Sequence, residues 1–276
     1  MNFINCAKQA TPELIRKSVV FWSQNSSQHI DTLLRSTNGT TAVLENDFKE
    51  QLKTFRQRFE LFYNTFGQNT IPLSRYQEFL RVNSGFINLL ERIKFEAFSG
   101  YPVLQQSVFH YIYEARYINA VFSAKSPNGN VLITLYFAPF LNQSFNCFYN
   151  QMYFWGIIGS MHPSLIMSNN AFYNAINGYS KEFLTNVTNS FNNLNFQLSS
   201  LKRPIKKSAI SQIFEEFTYL NNNYLEFLKD IRKNSPKIFT TPMVTRLSSY
   251  FYGAVDHQIA EHKLVSEINE NIAKYL

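Results

Sequence analysis

Apolar residues recur every three or four positions through long stretches of this chain, and few glycines or prolines interrupt them. Leu44, Phe48, Leu52, Phe55, Phe59 and Phe62 mark one stripe; Phe79, Phe86, Leu90 and Ile93 mark another. That spacing follows the 3.6-residue turn of an α-helix and gathers the apolar side chains on one face. The 276 residues include 9 Gly and 9 Pro, too few for the frequent turns of an all-β sandwich or barrel. They also include 27 Phe and 16 Tyr, enough apolar surface to offset the entropy of ordering and to exclude intrinsic disorder. The expected fold class is all-α.

Local punctuation divides the helices. Thr11 and Pro12 open the first, which runs to Arg35 and stops at Asn38-Gly39. The second spans 42–66 and ends at Gly67; the third spans 74–98 and ends at Ser99-Gly100. Pro102 opens the fourth, broken after about residue 123 by Ser126-Pro127-Asn128-Gly129. Four helices with short connections predict an up-and-down bundle. Residues 125–144 then read as a connector, in which the β-branched and aromatic run 131–137 forms a short strand or, better, an extended bridge. Helical spacing resumes near 145–168, 171–198, 208–233 and 240–275, with Pro204 and Pro236 in the breaks and Pro163 interrupting the first of the four. The expectation is two tandem four-helix bundles, 1–124 and 145–276.

Several function classes find no support. The densest basic cluster, Lys202, Arg203, Lys206 and Lys207, contributes to a net charge of +7. No nucleic-acid motif accompanies it and Glu215 and Glu216 follow, so it reads as a solvated interhelical loop and no nucleic-acid partner is expected. The longest apolar run, 131–140, contains Thr134 and Pro139 and falls well short of the roughly 20 residues that cross a bilayer. Cys6 and Cys147 form no disulfide framework and lack metal-ligand spacing. Residues 1–10 lack the apolar core of a signal peptide, and a reducing, cytoplasmic setting fits. Gly-rich phosphate loops, nucleophile elbows and Cys-His pairings are absent, which leaves ordinary kinase, hydrolase and dehydrogenase mechanisms without residues.

What the chain does carry is a repeat in its scarcest residues. Phe21-Trp22 precedes His29, and Phe154-Trp155 precedes His162, with matching positions 133 residues apart. His110 and Glu114 recur as His257 and Glu261, 147 residues apart, which implies 14 extra residues in the second half. Four of the five histidines fall on this pattern; only His262 is left over. In His-x-x-x-Glu the two side chains lie about 40° apart around a helix and project from one face. A histidine from the first helix of the same bundle, His29 or His162, then faces them across the core. Two imidazoles and a carboxylate with open positions suit non-haem Fe, Mn or Zn, and bundle interiors hold metals on facing helices in this way. A single His/Glu pair at this spacing is also an ordinary surface pair worth a few tenths of a kcal/mol; its duplication, with a matched His each time, favours metal. The Phe-Trp pairs read as core packing.

The repeated Phe-Trp…His segment with a later His-x-x-x-Glu resembles the bacterial family known as domain of unknown function 2935. That resemblance covers roughly 12–124 and 145–275. It implies two similar helical bundles, related in general design to ferritin-like metalloproteins, with His29, His110 and Glu114 as ligands in one half and His162, His257 and Glu261 in the other. The family's first helix usually reads Glu-His, where this chain has Gln28-His29 and Met161-His162, and an acidic residue usually stands shortly before Phe-Trp, where this chain has none. Glu60, Glu96, Glu182 and Glu226 are the acids that could substitute. The rival expectation is a metal-free helical scaffold whose ligand sets have decayed.

Overall fold

A computed structural model describes residues 7–9, 12–36, 44–66, 72–122, 132–134, 145–202, 205–240, 249–274 and 276. The chain divides into two compact units, Met1–Leu135 and Tyr136–Leu276. Helices α1 (Pro12–Ser36), α2 (Asn46–Phe66), α3 (Leu73–Arg92) and α4 (Pro102–Phe122) build the first. Helices α5 (Phe145–Met167), α6 (Asn170–Ala175), α7 (Gly178–Ser200), α8 (Lys207–Arg232) and α9 (Ser249–Ala273) build the second. Among the described residues the fold is all-α but for one small ribbon: β1 (Ala7–Gln9) pairs antiparallel with β2 (Leu132–Thr134), with Lys8 opposite Ile133. Part of the expected bridge 131–137 is therefore a strand of the first unit. The proposed stop at Asn38-Gly39, the Thr11 cap, Cys6 and most of 125–144 lie outside the described residues.

In the first unit the long helices pack antiparallel in a ring, α1 on α2, α2 on α3, α3 on α4 and α4 back on α1. The apolar stripe of α2 buries Phe48, Leu52, Phe59, Phe62 and Phe66. Phe59 meets Phe79 and Phe86 of α3 edge-on at 6.5 and 5.5 Å between centroids, and Phe79 meets Phe122 of α4 at 6.0 Å. Each such ring stabilises by about 2–3 kcal/mol through burial, and edge-on pairing adds roughly 0.5–1.5 kcal/mol. Trp22, fully inside, joins α1 to Tyr117 of α4 at 5.9 Å. The helical run beyond α3 widens into a π-turn, Ile93–Ala97, where the Phe98 N–H reaches back to the Ile93 carbonyl. Gly100, at φ 89°, supplies the left-handed residue that ends it.

The second unit closes a similar ring, α5 on α7, α7 on α8, α8 on α9 and α9 on α5. Gly159 lets α7 approach α5: a Cβ there would lie 2.8 Å from the Phe191 ring. Pro163 does not break α5, which continues through it to Met167. The expected single helix 171–198 is instead two. Asn169 and Asn177 each cap a new start, accepting from Phe172 N–H at 2.9 Å and Ser180 N–H at 2.7 Å. Between the two helices Ile176 bridges to Phe239, and Thr240 N–H bonds the Ala175 carbonyl. Thr240 thus belongs to this bridge rather than to a helix from 240; α9 begins at Ser249, and 241–248 are outside the described residues.

Candidate metal centres

In the first unit α4 presents His110 and Glu114 from one buried face, as their four-residue spacing requires, and α1 presents His29 opposite them. His110 Nε2 lies 3.0 Å from Glu114 Oε1, and His29 Nε2 lies 3.5 Å from Glu114 Oε2. One potential ligand atom from each of the three residues fits within 4.8 Å of the others. The His29 ring stacks on Tyr111 at 4.0 Å, which holds it face-on against α4.

The second unit builds the same arrangement from α5 and α9. Glu261 Oε1 lies 3.2 Å from His257 Nε2, and Glu261 Oε2 lies 3.0 Å from His162 Nε2. All six side chains are buried. In each unit, then, a carboxylate turns one oxygen to a histidine on its own helix and the other to a histidine on a facing helix. Burying a carboxylate is costly without compensating charge. Burial works to raise the Glu261 carboxyl, but His257 and His162, through charge and hydrogen bonding together, outweigh it and hold the group well below the ordinary carboxylate range.

The donor set fits a divalent transition metal. Ligand atoms bound at about 2.0–2.2 Å around one ion sit roughly 3–3.5 Å from one another, the range of the four imidazole–carboxylate separations. Two nitrogens and an oxygen are the mixture that Fe(II), Mn(II) and Zn(II) accept. The acids weighed as extra ligands are engaged elsewhere or face outward. Glu60 pairs with Arg56, Glu96 with Arg92 and Glu226 with Lys229, and Glu182 is exposed.

Helical spacing does not mark His262 or Asn221. His262 follows Glu261 directly, about 100° further round α9, so no helical spacing ties it to the ligand face. It is fully buried, with Nε2 2.9 Å from His162 Nδ1 and Nδ1 2.7 Å from Asn221 Oδ1 of α8. Burial, reinforced by His162, pushes its pKa well below the ordinary histidine range, against a smaller opposing pull from Glu261. Asn221 Nδ2 also donates to the His262 carbonyl at 3.1 Å and to Ser266 Oγ at 3.0 Å, and Ser266 Oγ donates to Asn222 Oδ1.

The first unit carries a matching clasp between α3 and α4. Asn83 Nδ2 donates to the Ala115 carbonyl and to Asn119 Oδ1, both at 2.8 Å, and Asn119 Nδ2 donates to Ser84 Oγ at 3.0 Å. Ala115 and Asn119 stand 147 residues before His262 and Ser266. The aromatic pairs match as well: Phe21 meets Trp22 edge-on at 5.1 Å, and Phe154 meets Trp155 at 4.9 Å.

Elsewhere, Lys202 and Lys206 on the connection between α7 and α8 and Lys207 at the start of α8 are exposed, and Arg203 lies outside the described residues. Among the described residues no helix is long and apolar enough to cross a membrane. No protein-family model, curated protein or solved structure matches the chain. Resemblance to any family therefore rests on the paired motifs themselves.

Proposed function

We propose that this chain is a metal-binding helical protein that holds non-haem iron, manganese or zinc through His29, His110 and Glu114 and through His162, His257 and Glu261. The observation that carries this reading is the shared placement of Glu114 and Glu261, each buried between two imidazoles from two helices at ligand-to-ligand distances. Three protein donors leave coordination positions for water, dioxygen or a small substrate, so the set has room for redox or oxygenase-like chemistry as well as storage. We further propose, on these paired motifs alone, a kinship with the domain of unknown function 2935 family, which implies the same ligands.

An internal repeat accounts for the parallel features. Matched aromatic pairs, matched His/Glu pairs and matched asparagine clasps fall in the same order along both halves. Asn83 and Asn221 are 138 residues apart, between the 133 of the first helices and the 147 of the last. The extra residues of the second half thus divide, five between His162 and Asn221 and nine between Asn221 and His257.

The rival is a metal-free scaffold, and a specific observation favours it too: separations of 3.0–3.5 Å also suit protonated imidazoles hydrogen-bonded to a carboxylate. Elemental analysis of the purified protein separates the readings. Near-stoichiometric metal, lost in His110→Ala, supports binding. Protein free of metal, with a melting temperature unmoved by Fe(II), Mn(II) or Zn(II), supports the scaffold, since a ligand of the native state must stabilise it.

A further inference from the structure

We infer that His262 is a positioning residue for the second cluster: with Asn221 behind it, it fixes which nitrogen of His162 carries hydrogen and which is offered to a metal. This rests on the metal-binding reading above and assigns a role to the one histidine outside the repeat.

The direction of each hydrogen bond follows from groups that have no choice. The His262 carbonyl can only accept, so the Asn221 end that meets it is the amide nitrogen. The other end, Oδ1, is then the atom 2.7 Å from His262 Nδ1, and that nitrogen must carry hydrogen. With Nδ1 of His262 engaged as a donor, its Nε2 faces His162, and a His162 that offers Nε2 to a metal keeps its hydrogen on Nδ1, which leaves His262 Nε2 as the acceptor. The nitrogen 2.9 Å away, His162 Nδ1, therefore donates to it. His162 is left with Nε2 turned toward Glu261 Oε2 at 3.0 Å, on the side where His257 meets the other oxygen. A ring flip of His162 would break its bond to His262 and turn a carbon toward the carboxylate.

Orientation of a metal-bound histidine through its second nitrogen is a general device, and removing the partner typically costs about 10–100-fold in affinity. The partner here is another imidazole rather than a carboxylate, so it orients His162 without adding a second anion to the buried site. Tyr224 closes over His262, ring centroids 4.9 Å apart, and its hydroxyl donates to Gln258 Oε1 at 2.8 Å. In the first unit Ala115 stands at the position matching His262, and Asn83 bonds its backbone alone. No imidazole stands at that position in the first unit.

Two measurements on the full chain test the assignment, with Zn(II) as the probe because it is diamagnetic. Histidine 15N NMR of Zn(II)-loaded protein should show His262 protonated at Nδ1 and unligated, and His162 protonated at Nδ1 with Nε2 on the metal. Coordination of His162 through Nδ1, or of His262 itself, overturns the assignment without any mutation. Zn(II) affinity is then compared across His262→Phe and His262→Gln, with circular dichroism confirming the fold. The Phe variant should bind about 10–100-fold more weakly, and the Gln variant, whose side-chain oxygen can accept from His162, should recover most of the loss. Equal affinity in all three overturns the proposal while leaving metal binding intact. No Zn(II) binding by the unaltered chain sinks the metal-binding reading itself, and this one with it.

Discussion

His162 Nε2 stands 3.0 Å from Glu261 Oε2, on a helix whose next residue is Pro163. The proline removes the N–H that would bond the Gly159 carbonyl, yet α5 continues to Met167 and His162 stays buried. In the second cluster His162 and His257 thus still meet the two oxygens of Glu261 from facing helices. Packing of α5 against α7, α8 and α9 sets the helix here, and one missing backbone bond does not overrule it.

Neutralising either glutamate should remove metal-dependent stabilisation. Saturating metal at about 100 times Kd stabilises by about 2.7 kcal/mol, a rise of roughly 5–10 °C in a chain of this size. Glu114→Gln and Glu261→Gln keep the shape of the side chain and lose its charge, so each should show a smaller rise than the unaltered protein. Differential scanning calorimetry with and without Mn(II) or Zn(II) reads this directly. A full rise in both variants would remove the carboxylates from the ligand set.

Much of this arrangement was legible in the sequence because helical spacing and residue scarcity carry it. His110 and Glu114 share a face by geometry alone, and the duplication pointed to His29 and His162 as their partners. His262 was not legible, because its role depends on a contact between α5, α8 and α9 and not on any periodicity within α9. Nor was the break at Ile176: nothing in the apolar pattern marks it, and it forms because Asn177 caps α7 while its Nδ2 donates to the Lys237 carbonyl across the unit. Pro163 was expected to interrupt this helix and kink it; the helix runs on to Met167, since one missing backbone bond does not outweigh packing.

Close packing of α5 on α7 predicts an asymmetry among glycines. Gly159→Ala would push a methyl group into the Phe191 ring, and overpacking of this kind costs about 1–3 kcal/mol. Gly253, in α9, has open space where its Cβ would be, so Gly253→Ala should be neutral or stabilise by up to about 1 kcal/mol through helix propensity. Urea unfolding of the two variants checks the contrast. Equal effects would mean that α7 does not approach α5 through Gly159.

Acid should destabilise the metal-free protein in two stages. His262 is neutral in the folded chain, its pKa well below 6.5, whereas the unfolded chain takes up a proton there near pH 6.5. Unfolding then binds protons, so stability is full above about pH 6.5 and falls below it, by up to about 1.4 kcal/mol per unit. Glu261, held well below 4.5 when folded, contributes stability that is present above the unfolded value and lost as pH falls toward the folded one. His162, Glu261, Asn221 and Tyr224 are the neighbours that set the first effect. Melting temperatures measured with chelator present should therefore decline from neutral pH downward, and His262→Gln should flatten the upper part of that decline. An unchanged slope in the variant would mean that His262 is not the group responsible.

The two asparagine clasps allow structural bracing to be separated from positioning. Asn83 and Asn221 are both buried, and each donates to a backbone carbonyl of the helix that bears the His/Glu pair. Replacing either with Ala removes a buried hydrogen bond to a carbonyl that keeps its helical donor, at a cost of about 0.5–1.5 kcal/mol per bond, so both variants should unfold at lowered urea concentrations. Their effects on histidine should differ. Asn83 donates to the Ala115 carbonyl and to Asn119 Oδ1 rather than to a histidine, and its loss should leave histidine hydrogen bonding in the first cluster as it was. Asn221 also accepts from His262 Nδ1, so its loss frees His262 to carry hydrogen on either nitrogen, and His162 then loses its fixed acceptor. Histidine 15N NMR should show a single form of His162 in Asn83→Ala and a mixture in Asn221→Ala. One unchanged form in both variants would show that Asn221 braces α8 against α9 and does nothing more.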